Sequence, residues 1–243
     1  MAFGGFAVTS ATGTTLALNG VTAGATICVL PVDLNGNATS FGATENSGAV
    51  VYSTRGPTFG TSGDTNSQLL ILTNAAGGNR TISVTAAGDT VEGLLAFWYT
   101  GVGDVDNSLT ALITSQPTMS AVKNNGTSGN FTPITQGSTI IGVAINLVST
   151  TAPTTGTSPY AFTSQSSGNI SGINGYLIED ATWIKGTTNA AFQYGAGSNA
   201  TGIVGFALQN TAPGASNIIT PTYPRKKSRQ GGLTMDLNLT EWY

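Results

Sequence analysis

The segment 77–101 constrains the fold more than any other stretch of the chain. In its first part Ile82 and Val84 fall on one side of an extended strand, and Thr81, Ser83 and Thr85 on the other. A turn-forming stretch at 86–90 follows, with Gly88-Asp89 at its centre. Residues 91–99 are then apolar on both sides and close on adjacent Phe97, Trp98 and Tyr99. A strand apolar on both sides is covered on both sides, so it belongs in the middle of its sheet. The segment predicts a β-hairpin whose second strand is central.

The rest of the chain agrees with an all-β reading. It is 40% hydrophobic but only 8% charged, against about 25% charged in typical globular domains. Thr, Ser, Asn and Gly fill the polar positions, and these favour strands and turns. Charge-poor surfaces of this kind suit a protein that lives in an assembly or outside cells. No amphipathic helix is visible and no run of 18 apolar residues occurs, so no transmembrane helix is expected. The opening Met-Ala-Phe-Gly-Gly-Phe has neither the basic nor the apolar region of a secretion signal. Cys28 is the only cysteine, which rules out an internal disulfide and reads as a buried small hydrophobe.

A repeat runs through the pattern. Val21-Thr-Ala-Gly-Ala-Thr-Ile27 recurs as Ile134-Thr-Gln-Gly-Ser-Thr-Ile140, and each copy opens an apolar strand. The stretch 79–99 is echoed at 189–209, where a Gly-rich loop at 195–200 again separates two strand patterns. Two architectures fit. One is a single jelly-roll-like β-sandwich over 1–210, with pseudo-repeats at about 20–102 and 133–210 in facing sheets. The other is two tandem immunoglobulin-like domains of about 100 residues. The first is the expectation carried forward, with an extended C-terminal arm over 211–243.

Charge is concentrated in that arm. Residues 1–220 carry four basic against nine acidic side chains, and residues 221–243 carry four against two. Arg225, Lys226, Lys227 and Arg229 lie within five positions, after Pro221 and Pro224 and before Gly231-Gly232. Leu233, Met235, Leu237 and Leu239 then alternate with Thr234, Asp236, Asn238 and Thr240, the pattern of a half-buried strand. Trp242 and Tyr243 are flat, rigid aromatics of the kind that anchor in a partner's pocket. The arm is the expected partner-binding element, meeting acidic neighbouring subunits.

The run Asn-Ala-Ala-Gly-Gly-Asn-Arg-Thr-Ile-Ser-Val (74–84), followed by Leu-Ala-Phe-Trp-Tyr-Thr-Gly-Val (95–102), resembles a β-sandwich module of bacteriophage structural proteins and bacterial surface proteins. Gly137-Ser-Thr-Ile-Ile-Gly-Val and Gly205-Phe-Ala-Leu continue the likeness, which covers roughly 20–210. The resemblance implies a virion or surface-display setting and carries no catalytic residues across.

The search for chemistry works mainly by elimination. The chain has no histidine, which removes Ser-His-Asp and Cys-His catalysis and most zinc sites. Gly195-Ala-Gly-Ser-Asn-Ala200 has the dinucleotide-loop spelling without the following helix or acid, and reads as a turn between strands. Asp104 and Asp106 open like a calcium loop, but the twelfth position is Ser115 and not Glu. Glu179 and Asp180 are adjacent on a strand, so they point to opposite faces and make a poor catalytic pair. Trp98 reads as core. Trp183, near a turn, has two readings: an exposed glycan-stacking platform or a plug at the end of the sandwich. The basic run lacks interleaved aromatics, which argues against nucleic acid.

The expectation is a non-enzymatic virion structural protein: a capsid decoration, head-fibre or tail-associated protein. It would be made in the host cytoplasm, need no cofactor or membrane, and assemble with other virion subunits or further copies of itself. The alternative is a carbohydrate- or receptor-binding module of a tail fibre or adhesin, with loops 56–67, 103–109 and 149–158 and Trp183 as its site.

Overall fold

The computed structural model describes all residues except 10–12, 46–47, 62–64, 107–113, 116–124, 128–131, 147–149, 157–159, 171–173, 187, 189–190, 194–200 and 212–243. Its strands form four sheets with antiparallel pairing throughout. Sheet I has the order β1 (Ala2–Val8), β9 (Gly93–Thr100), β3 (Ala25–Val32), β7 (Thr65–Ala75) and β6 (Ser53–Thr61). Sheet II has the order β2 (Thr15–Val21), β8 (Gly78–Ala87), β4 (Ser40–Glu45) and β5 (Val50–Val51). Sheet III runs β10 (Val102–Val105), β18 (Thr201–Asn210), β13 (Thr139–Asn146), β16 (Asn174–Thr182) and β15 (Thr163–Ile170), with β11 (Thr114–Ser115) also on β18. Sheet IV runs β12 (Asn125–Thr127), β17 (Ala191–Gln193) and β14 (Thr154–Thr155).

The two halves share one wiring. Sheets I and II alternate along the chain as 1-9-3-7 against 2-8-4-5, the order of a jelly roll. Sheets III and IV repeat it as 10-18-13-16 against 12-17-14. In this alignment β3 matches β13 and β9 matches β18. The seven-residue repeat is the same turn in both halves. The Ala25 amide donates to Thr22 O and the Ser138 amide to Thr135 O, each at 3.1 Å. Gly24 and Gly137 both sit at φ 80°, which the third position of a type II turn requires.

Burial explains the layering. The outward positions of β8, namely Thr81, Ser83 and Thr85, are exposed, while Arg80, Ile82 and Val84 face in. In β9 every residue from Gly93 to Tyr99 is buried. Leu94, Ala96 and Trp98 pack toward sheet II with Ile27, Val29 and Ile82. Leu95, Phe97 and Tyr99 pack toward sheet III with Ile141, Val143, Tyr176 and Phe206. The adjacent aromatics thus divide between two cores. A third, smaller core lies on the other face of sheet III, where Ile140, Ala144, Leu177 and Ala207 meet Phe162 and Trp183. The layer order is II, I, III, IV, with the two inner sheets buried on both sides. The halves are joined by the single residue Gly101, at φ 71°, where a Cβ would come within 3.1 Å of Met1.

Two expectations change and one is sharpened. The stretch 77–101 is not a hairpin, because β8 pairs with β2 and β4 while β9 pairs with β1 and β3. The stretch 189–209 likewise crosses from β17 in sheet IV to β18 in sheet III. The physical reason is in the sequence: a strand polar on one side belongs to an outer layer, and one apolar on both sides to an inner layer. Such strands are not neighbours in one sheet. The β-sandwich with two similar halves holds: two jelly rolls stack through their larger sheets, equivalent strands lie in facing sheets, and each half also has its own second sheet. Residues 56–61 and 65–67 lie in strands and not in a loop: β6 and β7 pair in register from Phe59–Ser67 to Thr61–Thr65.

Candidate functional site

The arm residues Arg225, Lys226, Lys227, Arg229, Leu233, Met235, Leu237, Leu239, Trp242 and Tyr243 lie outside the described residues. So does the loop 195–200. The root of the arm is placed: Thr211 donates its N–H to Gly101 O at 3.0 Å, beside Met1. The start of the chain, the junction of the halves and the root of the arm therefore share one corner.

Trp183 is a core residue, which corrects its reading as a surface platform. It is 9% exposed and packs with Phe162, Leu177 and Ala207. Its indole N–H donates to Gly186 O at 2.9 Å. The other proposed loop-site segments are spread over three sheets: 56–61 in β6 of sheet I, 103–105 in β10 of sheet III, and 154–155 in β14 of sheet IV.

Asp104 and Asp106 are committed to different partners. Arg55 on β6 grips Asp104 with two nitrogens, the Nε contact being 2.7 Å, and the Val105 N–H adds a bond of 2.7 Å. Burial pushes the Asp104 carboxyl up, but the Arg55 and Val105 bonds outweigh it and hold the group below the usual carboxylate range. Asp106 is 3% exposed and accepts from the Thr135 N–H at 2.8 Å, the Thr135 hydroxyl at 2.9 Å, the Ile134 N–H at 3.2 Å and the Ser138 hydroxyl. It is the clasp of the repeated turn in the second half.

Glu179 and Asp180 do point to opposite faces. Glu179, fully buried, accepts from the Gly156 N–H at 2.9 Å. Asp180 turns toward sheet I and accepts from the Tyr99 hydroxyl at 2.8 Å and from Gln165 at 2.9 Å. Burial, then the Asp180 charge and hydrogen bond, push the Tyr99 phenol well above its ordinary range.

Two groupings escaped the sequence reading. Glu45 on β4 and Arg80 on β8 form an ion pair inside the first jelly roll, with the Tyr52 hydroxyl 2.5 Å from Glu45. Its signal was present: Arg80 shares the inward face of Ile82 and Val84, and a buried cation needs a partner. The second grouping is Asp33, Asp89 and Glu92, with oxygens within 4.8 Å of one another. Such oxygens are of the type that holds a hard divalent cation. Here they also close the turn at 33–38. Asp33 accepts from the N–H groups of Asn35, Gly36 and Ala38 at 2.8, 3.1 and 2.7 Å. Glu92 accepts from the Leu34 N–H at 2.9 Å, and Asp89 from Asn37 at 3.0 Å. The Thr90 N–H, then the Asn37 amide, lower the Asp89 carboxyl.

Chemically, these described carboxylates act as acceptors that fix turns and join sheets. No family model matches the chain, and no curated protein or solved structure matches it. The resemblance to phage and surface β-sandwiches rests on the quoted motifs.

Proposed function

We propose that this chain is a non-enzymatic structural protein of a bacteriophage particle, a capsid decoration, head-fibre or tail-associated subunit. It docks to neighbouring subunits through residues 221–243. The observation that carries the reading is the stacking of two jelly rolls through a large apolar core, with one glycine between them. Domains that move against each other meet through smaller, more polar surfaces. A layer of this kind supports a stiff block, suited to bearing load and resisting proteases. The charge-poor body and the strongly basic arm divide the work: the body supplies rigidity and the arm supplies attachment.

The test is a chain ending at residue 220. It is expected to be folded and soluble, with the far-ultraviolet signature of the full chain, and to be missing from assembled particles. Incorporation at the normal level would defeat the reading.

A further inference from the structure

The strand orders of sheets I and III match, which makes two corners of the molecule equivalent. At one corner β10 lies against β3 and β7, and Arg55 of β6 reaches it. That corner is closed: Val102 is 4% exposed and Arg55 of β6 clamps Asp104 of β10. At the other corner β1 lies over β15. Phe3, Phe6 and Val8 are opposite Tyr99, Phe97 and Leu95, so they point toward sheet III. Phe6 stays 44% exposed, with its ring 6.4 Å from Tyr176. The result is an apolar ledge overhanging an edge strand.

That edge is also the least guarded among the described residues. β15 reads Thr-Ser-Gln-Ser-Ser-Gly-Asn-Ile, with neither charge nor proline. Natural edges are usually blunted by such residues, by bulges or by shortness. The others here are. β6 contains Pro57 and shifts register between Arg55 and Phe59. β5, β12 and β14 have two or three residues, and β10 has four. β1 bulges at Gly4, and β2 shifts register before Val21, where the Gly20 N–H is taken by Asn79. β15 shifts only near Gln165, and Ser166–Ile170 pairs regularly with β16.

We propose that the β1–β15 corner receives residues Leu233–Leu239 of a second copy of this chain, added to β15 as a further strand. This rests on the reading of the arm as the docking element and names its receptor. Leu233, Met235, Leu237 and Leu239 lie under Phe3, Phe6 and Val8. Thr234, Asp236, Asn238 and Thr240 share the other side with the exposed Ser167 and Asn169. The arm is long enough to pass its own edge and reach a neighbour. Residues 212–232 extend up to about 70 Å at ~3.3 Å each, whereas β15 lies three strands from β18, about 15 Å. Arm and receptor are different surfaces, so the exchange closes as a reciprocal pair or runs head-to-tail around a ring or filament.

The experiment uses full-length chains. A Ser167→Cys variant is mixed under mild oxidation with variants carrying Thr234→Cys, Asn238→Cys or Thr240→Cys; Cys28 is buried and stays silent. Thr15→Cys on β2 replaces Ser167→Cys as the control. The expected result is a disulfide-linked pair containing one chain of each kind, lost in the control and reduced at least tenfold when Phe6→Ser is added to the Ser167→Cys chain. No linked pair, an equal yield from the control, or a link found only within single chains carrying both cysteines would overturn the proposal. If truncation at 220 leaves incorporation intact, the arm reading itself fails. If truncation abolishes incorporation while Ser167→Cys forms no link, only the receptor assignment fails.

Discussion

Trp98 and Trp183 illustrate how one residue type serves two ends of the fold. Trp98 sits under the Gly4–Gly5 backbone, where a Cβ on Gly4 would lie 2.1 Å from its Nε1. The early Gly-Gly pair is thus a seat for a ring nearly a hundred residues away. Trp183 fills the small core on the outer face of sheet III and satisfies its N–H on Gly186. Trp183→Ala is therefore expected to cost about 3–5 kcal/mol, the range for emptying a buried aromatic site. Urea unfolding checks it; a loss below about 1 kcal/mol would place the ring outside the core. The burial of Trp98 was legible from its two-sided apolar strand. That of Trp183 was only one of two readings, because its neighbours Phe162, Leu177 and Ala207 come from three separate strands or turns.

At the scale of elements, strand positions were largely readable and strand partners were not. The seven-residue repeat pointed to one turn used twice, and both copies carry the same hydrogen bond and the same glycine angle. The apparent hairpins misled because sequence nearness was taken for pairing, although β8 and β9 differ in sidedness. The buried pair Glu45–Arg80 joins β4 to β8 and depends on the pairing of those two strands within sheet II. Removing one partner strands a charge in the core, so Arg80→Ala is expected to cost about 3–5 kcal/mol. The double replacement Glu45→Gln with Arg80→Met should cost clearly less than Arg80→Ala. Equal losses in chemical denaturation would show that the charge pair is not what the single variant breaks. The carboxylate clasp of Asp33, Asp89 and Glu92 was invisible in the sequence, since it needs β3 and the β8–β9 crossing brought to one end.

For the whole molecule, the layer between the halves governs behaviour. Its polar rim includes the Tyr99–Asp180 bond, the Thr26 hydroxyl 3.0 Å from both Val102 O and Gly103 O, and the Arg55–Asp104 pair. Asp104 is held below its ordinary value in the fold. Its pair therefore stabilises above the unfolded carboxylate value of about 3.9 and is lost as pH falls through the lower folded value. Both side chains are partly exposed, which limits the contribution to no more than about 1 kcal/mol. The stability gap between the native chain and Asp104→Asn should accordingly narrow as pH drops below about 4. A gap that is constant from pH 7 to pH 2 would contradict this. The all-β architecture was legible from composition and alternation. The stacking of two complete jelly rolls was not, because the seam is written in residues that look like any strand interior.

The central claim is that a rigid body carries an arm whose work is done on neighbours. Amine-reactive cross-linking of assembled particles, read by mass spectrometry at Lys226 and Lys227, tests it most directly. The account predicts that these lysines link to residues of other subunits, with Lys185 of the body as an internal reference. Links from Lys226 and Lys227 confined to their own chain would contradict it.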